Sequence, residues 1–241
     1  MKGNFAEALA DASKHKETPF PEAEYADRLA RVRTEMAARG IDILFAMAPE
    51  SLFHLTGFAC EWYQAQSGRA FPPTSGLAIH RERDQTIHFD TPSEAMLVGF
   101  GTVSKDVRIF PLEARRDGLP FILSELKGAG WLRAKPTVGL ELYSYRPNPV
   151  MSRRLVEAFE AAGAKVVDAT EVLHQVRHIK SEAEMACLEK AAKIADIGMT
   201  AAKAAIAPGV TELEVFGELI RAMTKAGGEF PGILPPVMSG F

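Results

Sequence analysis

The residues best placed by type and spacing to do chemistry are few, and none makes a complete constellation. His174 and His178 in "HQVRH" are four apart, so on a helix they would share a face at metal-chelating spacing. No carboxylate lies between them to act as a general base, and Val176 and Arg177 suit a partly exposed helix, so a structural role is favoured. His80 and His88 flank a charged turn and could face one another across a hairpin, although a packed or solvent-facing role is again the stronger reading. "GFGTVS", Gly99 to Ser104, hints at a phosphate loop, but it lacks the third glycine and the Lys-Ser/Thr pair. Carboxylates such as Asp90, Glu94 and Glu141 are scattered through strands and loops without acid/base spacing. No Gly-x-Ser-x-Gly elbow occurs, and neither cysteine, Cys60 or Cys187, sits in a reactive motif.

One stretch stands out. "LTGFACEWYQAQSGRAFPPTSG", residues 55–76, gathers Phe58, Trp62, Tyr63, Arg69 and Phe71 among glycines and two prolines. Aromatics with an arginine on a loop suit ligand or subunit recognition. Aromatics that simply pack on the domain's own sheet are the competing reading.

The elements that must position these residues are legible from periodicity. After a polar arm over residues 1–20, Tyr25, Leu29, Val32 and Met36 recur at helical spacing between Pro21 and Gly40. "IDILFAM" reads as a buried strand, and "GLAIH", "RERD" and "QTIHF" as strand, charged turn and strand. "VRIFPL", "TVGLEL" and "KVVDA" are further strands, with helices over "LPFILSELKGAG" and "NPVMSRRLVEAFEAAGA". Helices alternating with short strands indicate an α/β layer domain. "TEVLHQVRHIK" then reads as a helical connector. Two capping boxes, Ser181 with Glu184 and Thr211 with Glu214, open two longer helices separated by Pro208-Gly209. The first carries Met185, Leu188, Ala192, Ala195, Met199, Ala202 and Ile206 at heptad-like steps, and an apolar strand is expected over 233–238.

Bulk properties narrow the class. The 241 residues are 47% hydrophobic and 24% charged, with a net charge of −3, ordinary for a globular protein able to bury a full core. That charge gives no electrostatic case for nucleic acid or an anionic membrane. Apolar runs fall far short of the roughly 18 residues of a membrane span, and "MKGNFAEALADASKHKE" lacks a signal-peptide core. Two distant cysteines fit free thiols in a reducing compartment, so a cytoplasmic location is expected.

"FPEAEYADRLARVRTEMAARGID", "HLTGF" and above all "VRHIKSEAEMACLEKAAKIADIGM" resemble the creatinase / proline dipeptidase / Xaa-Pro aminopeptidase family. Arg177, Ile179, Lys180 and Ser181 match the phrase that opens that family's catalytic domain, and "PGVTELEV" and "GGEFPGILPPVMSG" resemble its second helix and first strand. The resemblance implies a creatinase N-terminal, ribonuclease H-like three-layer α/β domain with a mixed sheet at 21–172. The start of an α+β pita-bread domain would follow at 173–241. It implies a hydrolase acting at a C–N bond, either a metal-dependent Xaa-Pro aminopeptidase or dipeptidase, or a creatinase-type enzyme acting on a small amidine or cyclic amide without metals. The family's histidines, aspartates and glutamates, which in peptidase members hold two divalent ions (manganese, cobalt or zinc), fall after Phe241, so no catalytic or metal residue is assigned and the chain alone is expected to be inactive. A non-catalytic dimerisation or binding module is the third reading. Creatinase-like homodimers bring the N-terminal domain of one subunit to the other's active site. Gly68 and Arg69 resemble a pair that contributes to substrate binding there, so Arg69 is expected to grip a carboxylate or guanidino region, with Trp62 and Tyr63 as walls. The expected partners are a small-molecule or short-peptide substrate and a second copy of the chain.

Overall fold

The computed structural model describes residues 14, 16–59, 75–144, 148–229 and 236–239, with the side chains of 115 and 116 excepted. The chain divides between Ile179 and Lys180 into two compact units.

The first unit is built on a six-stranded mixed sheet in the order β4-β3-β2-β1-β5-β6. These strands are β1 Ile43–Ala46, β2 Gly76–His80, β3 Thr86–Asp90, β4 Asp106–Ile109, β5 Thr137–Leu140 and β6 Lys165–Asp168. The charged turn "RERD" folds β2 and β3 into the expected antiparallel hairpin, with Gly76 opposite Phe89 and Ile79 opposite Thr86. β1 runs antiparallel to β2 and parallel to β5, which places it at the centre. Its continuous apolar run follows from that position, since every residue of Ile43–Ala46 is buried.

Alternation along β1 feeds two separate cores. Leu44 and Ala46 join one layer and Ile43 and Phe45 the other. The first layer holds α1 (Glu22–Ala38), α2 (Pro49–Thr56), α3 (Ala95–Gly101) and α6 (Thr170–His178), through Val32, Met36, Leu52, Leu55, Val98, Val172, Leu173 and Val176. The second holds α4 (Leu119–Gly128) and α5 (Pro149–Ala161), through Ile122, Leu126, Leu155 and Phe159 around the buried Trp131. The result is the expected three-layer α/β/α arrangement with a mixed sheet. Within α1, Tyr25, Val32 and Met36 are buried as their spacing predicts, and Gly40 at φ +65° turns the chain out of the helix, as glycine readily does.

Three details differ from the sequence reading. Helices α2 and α3 were not anticipated: at 8 and 7 residues they are too short to show a helical period. Helix α6 lies in the first unit, not beyond a boundary at 172/173, because Val172, Leu173 and Val176 are buried in its core. Residues 236–239 carry no strand, and 233–235 of the expected last strand lie outside the described residues.

The second unit is a pair of helices, α7 (Glu182–Ala205) and α8 (Glu212–Lys225). Both capping boxes form: the Ser181 and Thr211 hydroxyls accept from the backbone N–H of Glu184 and Glu214, whose carboxylates reach back to the cap N–H groups. Ala202, Val215 and Leu219 form the buried centre, with Met223 and Val237 packed on it. Gly198 allows the close approach, since a β-carbon there would lie 2.5 Å from Met223 Cγ. Of the seven heptad-like positions, six on α7 and Ile206 just past its end, only Ala202 is buried, and Met185, Leu188, Met199 and Ile206 are exposed.

Candidate functional site

Two buried polar clusters sit in the first unit, both at the carboxyl ends of strands that run parallel, β5 and β3, and each joins residues from different elements. The first lies at the carboxyl edge of the parallel pair β1 and β5, where a crevice in an open α/β sheet commonly takes ligands. Glu141 is the first residue after β5 and is buried. Its Oε2 accepts the backbone N–H groups of Met47 (3.0 Å) and Ala48 (3.1 Å), and its Oε1 accepts from Ser51 Oγ at 2.5 Å. Burial pushes this carboxyl above the usual carboxylate range, against the downward pull of the Ser51, Ala48 and Met47 hydrogen bonds. The adjoining pocket is lined by Phe45, Met47, Leu140, Glu141, Leu142, Ser152 and Leu155, and has room for about one water molecule. That space is too small for a dipeptide, so the arrangement serves to tie the β1–α2 turn to the end of β5.

The second cluster lies on β3. His88 and Asp90 are two apart on the strand, share its face, and are both fully buried. Asp90 Oδ1 accepts from Ser75 Oγ (2.7 Å) and from the Thr91 N–H (2.7 Å). His88 Nδ1 is 2.8 Å from Ser104 Oγ, and its Nε2 faces Asp90 Oδ2 at 3.6 Å. The ring of Phe58 stands edge-on to the imidazole with centroids 5.3 Å apart. Glu94 is held above its ordinary range by burial and by the neighbouring Asp90. The order Ser104, His88, Asp90 superficially suits a nucleophile, base and orienting carboxylate. The 3.6 Å gap is longer than a hydrogen bond, and both the ring and the carboxyl are sealed from solvent, which suits a structural network rather than acyl transfer.

The residues singled out from sequence distribute as follows. Arg69, Trp62 and Tyr63, with Gly68, Phe71 and Cys60, lie outside the described residues, while the flanking Phe58 and Ser75 are both buried at the second cluster. His80 and His88 do not face one another. His88 stands opposite Leu77 on one face of the hairpin, and the alternation of β2 puts His80 on the other, edge-on to Trp131 at 5.2 Å. His174 is half exposed beside Glu171 at 3.6 Å. Cys187 is an exposed free thiol. Among the described residues no group of three His, Cys, Asp or Glu side chains could hold a metal ion. No described helix is long and apolar enough to cross a membrane.

Asp90 and Glu141 were visible in the sequence only as isolated carboxylates, and Ser51, Ser75 and Ser104 carried no signal. The one available clue was the strand "TIHFD", in which a histidine and an aspartate occupy alternate positions of an otherwise buried segment.

Comparison with known proteins bears on what this frame belongs to. Residues 28–179 match the family described as Creatinase/Prolidase N-terminal domain, well over half of the chain. The chain belongs to that family. As a creatinase/prolidase N-terminal domain chain, it is 29% identical over 91% of its length to an uncharacterized hydrolase/peptidase of Sinorhizobium fredii, covering 55% of that protein. It is 26% identical over 92% of its length to an ectoine hydrolase of Halomonas elongata, covering 56% of that protein. Its fold is similar to that of an X-Pro aminopeptidase from Thermotoga maritima, with a TM-score of 0.64, 20% identity, and coverage of 83% of this chain and 49% of the other. The chain therefore spans about half the length of these three proteins.

Proposed function

We propose that this chain is the amino-terminal, substrate-framing portion of a hydrolase that cleaves a C–N bond in an Xaa-Pro dipeptide or at a peptide's amino-terminal residue. The observation that carries this reading is the family match over residues 28–179, in a chain whose relatives include proteins named hydrolase/peptidase. Divalent ions, where the full enzyme uses them, would be bound outside the residues described here. On this reading Arg69 contacts the substrate carboxylate through its planar fork, with Trp62 and Tyr63 beside it. The enzyme would act as a homodimer in the cytoplasm.

A second reading, hydrolysis of a small amidine or cyclic amide, is favoured by the relative named ectoine hydrolase. The two are separated by assaying the protein purified from its own source, after its intact mass is measured. Turnover of Xaa-Pro dipeptides with added manganese, and none of ectoine or creatine, is the expected result. Turnover of ectoine or creatine alone would replace the first reading by the second. A mass near 26.2 kDa with no turnover of either would support a non-catalytic binding module instead.

A further inference from the structure

Helices α1, α2 and α6 meet where positive charge gathers without a matching number of carboxylates. Arg28 and Arg31 are three apart on α1 and so share a face of it. Arg28 is buried. Its Nη1 donates to the His54 carbonyl of α2 at 2.8 Å, its guanidinium lies over the Phe20 ring, and its Nη2 pairs with Glu24 at 3.1 Å. Arg31 Nη2 donates to the Val176 carbonyl in the last turn of α6 at 2.6 Å, which brings its guanidinium beside the backbone of the next residue, Arg177. Arg31 and Arg177 are both half-buried, and neither pairs with a carboxylate among the described residues. The buried His54 imidazole feels all three arginines: after burial itself, Arg28, Arg177 and Arg31 lower its pKa, and Glu24 alone pulls the other way.

Other arginines of this unit are neutralised where they lie. Arg81 pairs with Asp42 at 3.1 Å, and Arg108 with Asp106 and Glu125 at 2.8 Å each. Helix geometry explains only part of the exception. An arginine in the last turn of α6 complements its dipole, and Arg31 satisfies one of its free carbonyls, but a fully solvated Arg177 would serve the dipole as well. Like charges drawn together where water is partly excluded repel one another, and the arrangement turns favourable once an anion joins them. The donors for that are in place. Arg31 keeps Nε and Nη1, and Arg177 its whole planar fork, unbonded among the described residues.

We infer that Arg31 and Arg177 form a binding site for an oxyanion, a carboxylate or phosphate group, with the field of Arg28 adding to it. The site lies wholly within the first unit and is independent of the proposed hydrolase activity. The test is titration of the 241-residue chain with sodium phosphate and, separately, sodium acetate, each against sodium chloride at matched ionic strength. The arginine Nε–Hε and His54 ring signals are followed by NMR. Saturable shifts at Arg31, Arg177 and His54 are expected, and the His54 pKa should rise from about 3 in the saturated state as the bound charge offsets the guanidiniums. Tighter binding of phosphate points to a phosphorylated ligand, and tighter binding of acetate to a carboxylate. Arg177→Gln and Arg31→Gln are each expected to weaken binding by roughly tenfold. Arg153→Gln, at an exposed position of α5, is expected to leave it unchanged. Shifts that grow without saturating, that chloride reproduces, or that Arg153→Gln diminishes as much as Arg177→Gln are ionic screening and would overturn the inference. Because Arg31 also holds the Val176 carbonyl, Arg177→Gln alone decides the matter if Arg31→Gln does not fold.

Discussion

At the scale of single residues, two buried titratable groups respond to pH in opposite ways. His54 lies under the helix layer, and burial, reinforced by Arg28, Arg177 and Arg31, lowers its pKa from 6.5 to about 3. The folded protein thus keeps the ring neutral while the unfolded chain takes up a proton below pH 6.5. Stability is lost as pH falls through that window, by about 2 kcal/mol between pH 7 and 5 from this residue. Urea titrations at the two pH values are expected to show that much less loss in His54→Gln than in the wild type. Glu141 works the other way. Its raised pKa means that the folded state retains a proton the unfolded chain gives up, so its contribution is full below the ordinary carboxyl range and fades as pH rises. Glu141→Gln, able to accept from Met47 and Ala48 while donating to Ser51, is expected to exceed the wild type in stability at pH 8 but not at pH 4. Glu141→Ala should cost about 1–3 kcal/mol at either pH, because two buried N–H groups and a hydroxyl lose their acceptor. A Glu141→Ala protein as stable as the wild type would remove the cluster's structural role.

At the scale of elements, the glycines of the helix pair make a matched contrast. Gly198 sits under Met223 with no room for a side chain, whereas Gly217 on α8 has nothing within 4 Å of its would-be β-carbon. Gly198→Val is expected to destabilise the pair by about 1–3 kcal/mol through overpacking. Gly217→Ala should stabilise it by about 1 kcal/mol through helix propensity alone. Thermal or urea unfolding followed at a helix-sensitive wavelength separates the two, and equal effects would mean the close approach at Gly198 has been misread. Elements were also the most legible level of the sequence. The period of 3.6 in "EYADRLARVRTEM", the hairpin around "RERD" and both capping boxes express local rules that need no tertiary context. Helices α2 and α3 escaped because two turns of helix flanked by glycine hold too few residues to establish a period, and it is burial of Leu52, Leu55 and Val98 that makes them helical.

At the scale of the whole molecule, the two units differ in what holds them. The first has two apolar cores on either side of its sheet, while the second is centred on Ala202, Val215 and Leu219. Amide exchange in this chain is therefore expected to be at least tenfold faster in α7 and α8 than in β1, and equal protection would contradict the division into units. Family membership was legible in the same sequence, because the phrase from Val176 to Met199 and the stretch from Phe20 to Asp42 keep a recognisable order of residues. The sequence by itself determined the longer helices, the strands of the sheet and which of their faces are apolar, since those follow from the chain's own spacing. Only the tertiary structure decided that Ser75 meets Asp90, that Ser104 meets His88, and that Ser51 meets Glu141 across 90 positions. The order β4-β3-β2-β1-β5-β6 brings those groups together, and strand order is set by which apolar faces bury one another, a property of the folded sheet that no local period contains.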